Sequence, residues 1–172
     1  MAEPKLILLM GPSGCGKSTV GPLLAARIAG IYLEGDDFHP PENKARMGAG
    51  IPLRDEDRWP WFANLRAAID AAFAENPERP VVASCSALKR AYREALLRGG
   101  REHDARLVFL RGAKDLIASR LGDRVHEYMP ATLLDSQFAT LEEPGDDENA
   151  LVIDIGPTPE TLAKELASAL GF

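Results

Sequence analysis

Leu6-Ile7-Leu8-Leu9-Met10-Gly11-Pro12-Ser13-Gly14-Cys15-Gly16-Lys17-Ser18-Thr19 is the stretch on which the reading of this chain turns. Five apolar residues of strand length run into a glycine-rich turn, and a segment of helical period begins behind it. Gly11 to Ser18 matches G-x-x-x-x-G-K-[ST] in the strand–loop–helix setting that the pattern requires. Glycines let successive N–H groups converge on an anion, and the helix beginning near Lys17 adds its positive end to the same spot. Lys17 brings a mobile point charge for β- and γ-phosphates, and Ser18 a hydroxyl for Mg²⁺. On this reading Gly11, Ser13, Gly14, Cys15, Gly16, Lys17, Ser18 and Thr19 form an ATP-binding loop, with Lys17 also catalytic and Ser18 a metal ligand.

Outward from the loop, apolar runs of strand length alternate with helical segments, the βαβ signature of a parallel sheet covered by helices. Strands are expected at Leu6–Met10, Ile31–Glu34, Val81–Ser84, Arg106–Leu110 and Leu151–Ile155. The first three lack alternation, as strands buried on both faces do. Helices are expected over Lys17–Ala29, Pro60–Ala74 and Ser86–Arg98, the last stopped by Gly99-Gly100. A closing helix starts at Thr158-Pro159, an N-cap followed by Pro, and buries Leu162, Leu166 and Leu170. The fold class is α/β: a P-loop three-layer α/β/α arrangement around a five-stranded parallel sheet.

Composition narrows the possibilities. The 172 residues suit one domain, 45% apolar and 27% charged. A formal net charge of -6 disfavours a broad nucleic-acid surface, and no apolar run reaches membrane-spanning length. No signal-peptide pattern is expected at the N-terminus, and Cys15 and Cys85 read as reduced thiols of a cytoplasmic protein. Both thiols should lie near the nucleotide, where the helix N-terminus could make Cys15 reactive. A regulatory GTPase would carry N-K-x-D and D-x-x-G; here Asn43-Lys44 is followed by Ala45-Arg46, and D-x-x-G does not occur.

Two stretches fit the regular scheme poorly: residues 36–59, rich in charge with at most a short helix near Glu42, and the polar residues 122–130 between two helical segments. Long irregular loops in compact domains tend to be functional. The first carries Gly35-Asp36…His39-Pro40, then Gly50…Pro52-Leu53…Asp55…Asp57-Arg58…Pro60-Trp61. Farther on stand Ser84-Cys85-Ser86-Ala87-Leu88-Lys89…Tyr92-Arg93 and Leu133-Leu134…Ser136-Gln137-Phe138…Leu141-Glu142. In this order and from the first strand to near Asp154, the blocks resemble the gluconokinases, small kinases related to shikimate kinase and the nucleoside monophosphate kinases.

The resemblance implies a nucleoside-monophosphate-kinase-like fold in one domain, 1–172, with a substrate-binding segment at about 36–62 and a lid at about 122–130. It implies transfer of the ATP γ-phosphoryl group, with Mg²⁺, to the terminal hydroxyl of D-gluconate. The product, 6-phosphogluconate, would feed the pentose phosphate or Entner–Doudoroff route. Relatives are commonly homodimeric. In related kinases arginines like Arg120 and Arg124 serve the closing lid, which assigns Arg120 to the adenine or phosphate side and Arg124 to a catalytic role. The chain departs from the pattern at Arg46, at Arg111 and at His126-Glu127-Tyr128-Met129.

Residue chemistry agrees with that reaction. Asp36 leaves the second strand at the sheet's carboxyl edge, where ligands of such sheets bind, and can orient or deprotonate the attacking hydroxyl; the alternative is a turn-capping Asp. Glu34 could orient a Mg²⁺-bound water. Arg58 is the candidate for the substrate carboxylate, because a planar fork matches two oxygens; the alternative is a salt bridge with Asp55 or Asp57. His39 could bond a sugar hydroxyl or be fixed between Phe38 and Pro40. Lys89 and Arg93, four apart on an expected helix face, could hold substrate or phosphates, or be solvated helix charges. Other readings are a same-fold kinase for another hydroxy acid such as shikimate, and an ATP-binding regulatory module without an acceptor.

Overall fold

The computed structural model describes residues 3–97, 104–122 and 131–172. Its centre is a parallel sheet of strands β1 (Leu6–Met10), β2 (Ile31–Glu34), β3 (Val81–Ser84), β4 (Ala105–Arg111) and β5 (Leu151–Asp154), in the order β2-β3-β1-β4-β5. β1 is in register with β3 from Leu6↔Val81 to Leu9↔Ser84 and with β4 from Leu6↔Ala105 to Met10↔Phe109. The chain leaves β1 toward one side of the sheet and leaves β3 toward the other. The crevice at the carboxyl ends of these two strands is where open α/β sheets bind ligands.

Helices α1 (Lys17–Arg27), α2 (Pro41–Gly48), α3 (Asp55–Glu75), α4 (Arg90–Leu97), α5 (Lys114–Gly122), α6 (Ala131–Thr140) and α7 (Pro159–Leu170), with 3-10 turns at Gly35–Phe38 and Asp146–Glu148, complete the described elements. Period-two alternation along β1 sends Ile7 and Leu9 into one core, with Leu24 of α1 and Leu162 and Leu166 of α7. Leu6, Leu8 and Met10 enter the other, with Phe62, Leu65, Ile69 and Phe73 of α3 and Leu96 of α4. A sheet buried on both faces between helix layers is the three-layer α/β/α arrangement of the P-loop kinases.

Several boundaries depart from the sequence reading. β2 is an edge strand and half-buried throughout. α1 stops at Arg27 rather than Ala29, because Ala29 turns left-handed (φ 53) while Ala29 N–H and Gly30 N–H bond the carbonyls of Ala26 and Ala25. α3 begins at Asp55, five residues before Pro60. The Asp57 carboxylate accepts the Arg54 N–H at 2.9 Å, and three acids in the first turn complement the helix dipole. α4 begins only at Arg90, so Ser86 to Lys89 form a loop with Ala87 left-handed (φ 43). The expected stop at Gly99-Gly100 lies outside the described residues.

Candidate active site

The loop after β1 holds Gly11, Gly14 and Gly16 at φ 147, 86 and 103, a region that side-chain-bearing residues avoid. Lys17, at the start of α1, folds its ammonium over the loop and donates to the carbonyls of Gly11 (2.6 Å) and Pro12 (3.1 Å). The outer side of the loop meets α6. Ser13 N–H donates to Gln137 Oε1 at 2.7 Å, and Gln137 Nε2 donates to Ser13 Oγ at 3.1 Å.

Beside the loop, the end of β2 carries a hydroxyl–carboxylate network. Glu34 Oε1 accepts from Ser84 Oγ and Oε2 from Tyr32 Oη, both at 2.8 Å. Burial pushes the Glu34 carboxyl up, but hydrogen bonds from Ser18, Tyr32 and Ser84 outweigh it, leaving the group below the usual carboxylate range. An ionised carboxylate within reach of the Ser18 hydroxyl is a hard-oxygen pair that suits Mg²⁺. No cluster of three His, Cys, Asp or Glu side chains forms a closed metal cage among the described residues. Gly35 follows directly, and a Cβ there would lie 1.8 Å from the Ser84 carbonyl oxygen, so only glycine lets the chain leave β2 against β3.

Gly35–Phe38 form a 3-10 turn that turns Asp36 into a cleft of about 370 Å³. Lys17, Ser18 and Gln137 line the cleft together with Asp36, His39 and Arg58. The Asp36 side chain is 72% exposed. His39 is locked behind it: its ring stacks on Trp61 with centroids 3.7 Å apart, and Trp61 Nε1 donates to the Gly35 carbonyl at 2.7 Å. Burial pushes the His39 pKa down to about 4, helped by the charges of Lys44 and Arg58. The 3.7 Å contact of Nε2 with Asp36 Oδ1 is therefore a polar contact of a neutral ring and not an ion pair. Asn43 Nδ2 faces His39 Nδ1 at 3.3 Å and donates to the Asp57 carbonyl at 2.7 Å. An amide NH₂ can only donate, so Nδ1 accepts and the Nε2–H points toward Asp36.

Arg58 is held from below. Nη1 donates to Tyr92 Oη at 3.0 Å, its guanidinium carbon lies 5.2 Å from the Tyr92 ring centroid, and Asp55 Oδ1 is 3.7 Å away. Tyr92 Oη donates in turn to Asp55, which also takes Lys89 Nζ at 3.2 Å. The Tyr92 hydrogen bond first, and Lys89 and Arg58 after it, hold the Asp55 carboxyl below its ordinary range. Asp55, foreseen only as a competitor for Arg58, is the hub of the cluster.

The expected residues do not all converge. Arg93 is 1% exposed and belongs to the scaffold: its guanidinium takes Glu148 through Nε (2.6 Å) and Nη2 (2.8 Å), and Nη1 donates to the carbonyls of Ala87, Leu88 and Glu142. Buried and committed to Glu148 and three carbonyls, it is not among the residues that line the cleft. Lys89 precedes α4 and does not share a helix face with it. Arg120 lies outside the cleft lining and donates to the Ile155 carbonyl at 2.7 Å, beside the turn at Gly156. Cys15 and Cys85 sit near the loop and are each 1% exposed, and burial pushes the Cys85 thiol up to about 12, which makes Cys85 unsuited to thiolate chemistry. Arg124 and nearly all of the 122–130 segment lie outside the described residues. Gln137, Asn43 and Tyr92 were not singled out from the sequence. Only their place within the recurring blocks could have drawn attention to Tyr92 and Gln137.

Comparison with known proteins agrees with this geometry. A family model described as an AAA domain matches residues 6–144. A Mus musculus protein named "Probable gluconokinase" is 37% identical over 99% of this chain and all of its own length. The "Thermosensitive gluconokinase" of Escherichia coli (strain K12) is 42% identical over 95% of this chain and 86% of its own. The crystal structure of a gluconokinase from Sinorhizobium meliloti 1021 superposes with a TM-score of 0.86 at 38% identity, covering 99% of this chain and 93% of that one. A phosphate loop sharing one cleft with an acidic turn and a held arginine, together with identity at this level along nearly the whole chain, means that the protein belongs to the gluconokinase family.

Proposed function

We propose that the protein transfers the γ-phosphoryl group of ATP to the terminal hydroxyl of D-gluconate, giving 6-phosphogluconate and ADP. The observation that carries this reading is that one cleft is lined both by the phosphate loop and by Asp36 and Arg58. Phosphoryl transfer asks the protein mainly for positioning and charge neutralisation, and this cleft offers both.

In this reading the loop amides and Lys17 receive the β- and γ-phosphates, with Ser13, Gly14, Cys15, Gly16 and Thr19 shaping the loop. Ser18 and the ionised Glu34, the latter through water, would hold Mg²⁺, which would supply charge neutralisation for the migrating group. Asp36 accepts the proton of the attacking hydroxyl, and its exposure leaves room for that hydroxyl. Arg58, steadied by Tyr92 and Asp55, keeps donors for the gluconate carboxylate, and Lys89 adds charge nearby. The neutral His39 offers its Nε2–H to the acceptor side. Arg120 serves the adenine or phosphate side, and the resemblance assigns a catalytic role to Arg124, which lies outside the described residues.

The test is ADP release in a coupled assay over a panel of sugar and hydroxy acids that includes shikimate, with Asp36→Asn beside the unaltered protein. We expect turnover with gluconate, lowered about 10²- to 10⁴-fold by the substitution. Turnover with another acid but not gluconate would reassign the substrate, and unimpaired Asp36→Asn would remove Asp36 from the chemistry.

A further inference from the structure

Gln137 makes two hydrogen bonds to a single residue of the phosphate loop, an arrangement that catalysis by the residues above does not use. A peptide N–H can only donate, so the carboxamide oxygen must face Ser13 N, as it does at 2.7 Å, which leaves the NH₂ for Ser13 Oγ at 3.1 Å. The reach spans 124 positions of sequence and joins the loop to α6. α6 is itself anchored. Leu134 is buried in the core and Phe138 packs against it, whereas Leu133, Ser136 and Gln137 turn to the cleft at the i, i+3, i+4 spacing of one helix face. Ser13 stands between Pro12 and Gly14, immediately before the residues whose amides would meet the phosphates.

We propose that Gln137 is a positioning residue for nucleotide binding: its carboxamide holds Ser13, and through it the phosphate loop, in the shape that receives the phosphates. The proposal rests on the ATP reading of the loop. Removing the carboxamide leaves Ser13 N–H without its partner, in a loop whose left-handed glycines oppose regularity on their own. The cost falls on the nucleotide, because both carboxamide hydrogen bonds of Gln137 go to the loop.

The experiment measures MgADP affinity by calorimetry, KM for ATP and for gluconate, and melting temperature for Gln137→Leu, Ser13→Ala and the double variant. Each lost hydrogen bond is worth a few-fold, so Gln137→Leu should weaken ADP and raise KM for ATP about tenfold, with KM for gluconate unchanged. Ser13→Ala, which keeps the hydrogen bond from the backbone N–H to Gln137, should lose about threefold, and adding it to Gln137→Leu should cost nothing more. Equal ADP affinity in unaltered protein and Gln137→Leu overturns the proposal. So does a parallel rise of both KM values with a lowered melting temperature. Should Gln137→Leu fail to fold, unchanged ADP affinity in Ser13→Ala overturns it alone. Failure of the unaltered protein to bind ADP sinks the nucleotide reading itself.

Discussion

Arg58 and His39 show how neighbours set the state of side chains that line the cleft. Arg58 takes Tyr92 with one nitrogen and leans on Asp55, which pre-organises the fork and leaves donors for a carboxylate. Arg58→Ala should therefore raise KM for gluconate about 10- to 100-fold and leave KM for ATP unchanged, as steady-state kinetics in both substrates will read. His39 has a linked effect on stability. Its folded pKa, about 4, lies below the unfolded value near 6.5, so the unfolded chain binds the proton more readily. The contribution is fully present above about pH 6.5 and is lost as pH falls toward 4, at most about 3 kcal/mol. Denaturation from pH 7 to 4 should show a shallower acid loss for His39→Gln than for the unaltered protein.

At the scale of elements, the loop and turn behind β3 depend on Arg93. Its guanidinium binds the carbonyls of Ala87 and Leu88 after β3, the Glu142 carbonyl after α6, and the Glu148 carboxylate of the 3-10 turn before β5. Glu142 returns the link by accepting the Arg90 N–H at the start of α4, at 2.9 Å. A buried pair broken on one side leaves an uncompensated charge, so Arg93→Ala should cost about 3–5 kcal/mol in chemical denaturation. The paired acid predicts a similar loss for Glu148→Ala, and the double variant should fall short of the sum. The sequence reading set Arg93 beside Lys89 as a substrate group, because a charge on an expected amphipathic helix carries no mark of burial.

For the whole molecule, the cleft joins segments from β1, β2, β3, α3 and α6, so occupancy stabilises the chain as one unit. A ligand at 100 times its Kd adds about 2.7 kcal/mol, which for a chain of this size moves the melting temperature by roughly 5–10 °C. MgADP should produce such a shift in a thermal melt, and Lys17→Ala should remove most of it.

The architecture and the phosphate loop were legible in the chain itself, because both are local. Strand-length apolar runs at β1, β2 and β3, the leucine stripe of α7 and the glycine spacing from Gly11 to Gly16 each dictate backbone geometry without help from afar. Asp36 and Arg58 are proposed from the recurrence of their blocks in gluconokinases; that they line one cleft with Lys17 follows from how the turn after β2 and the start of α3 pack beside the loop. Three things came only from tertiary structure: the burial of Arg93 and the thiols, the Asp55–Tyr92–Lys89 cluster, and the grip of Gln137 on Ser13. Desolvation and hydrogen-bond partnership across more than a hundred residues depend on how layers pack, and no periodicity along the chain encodes them.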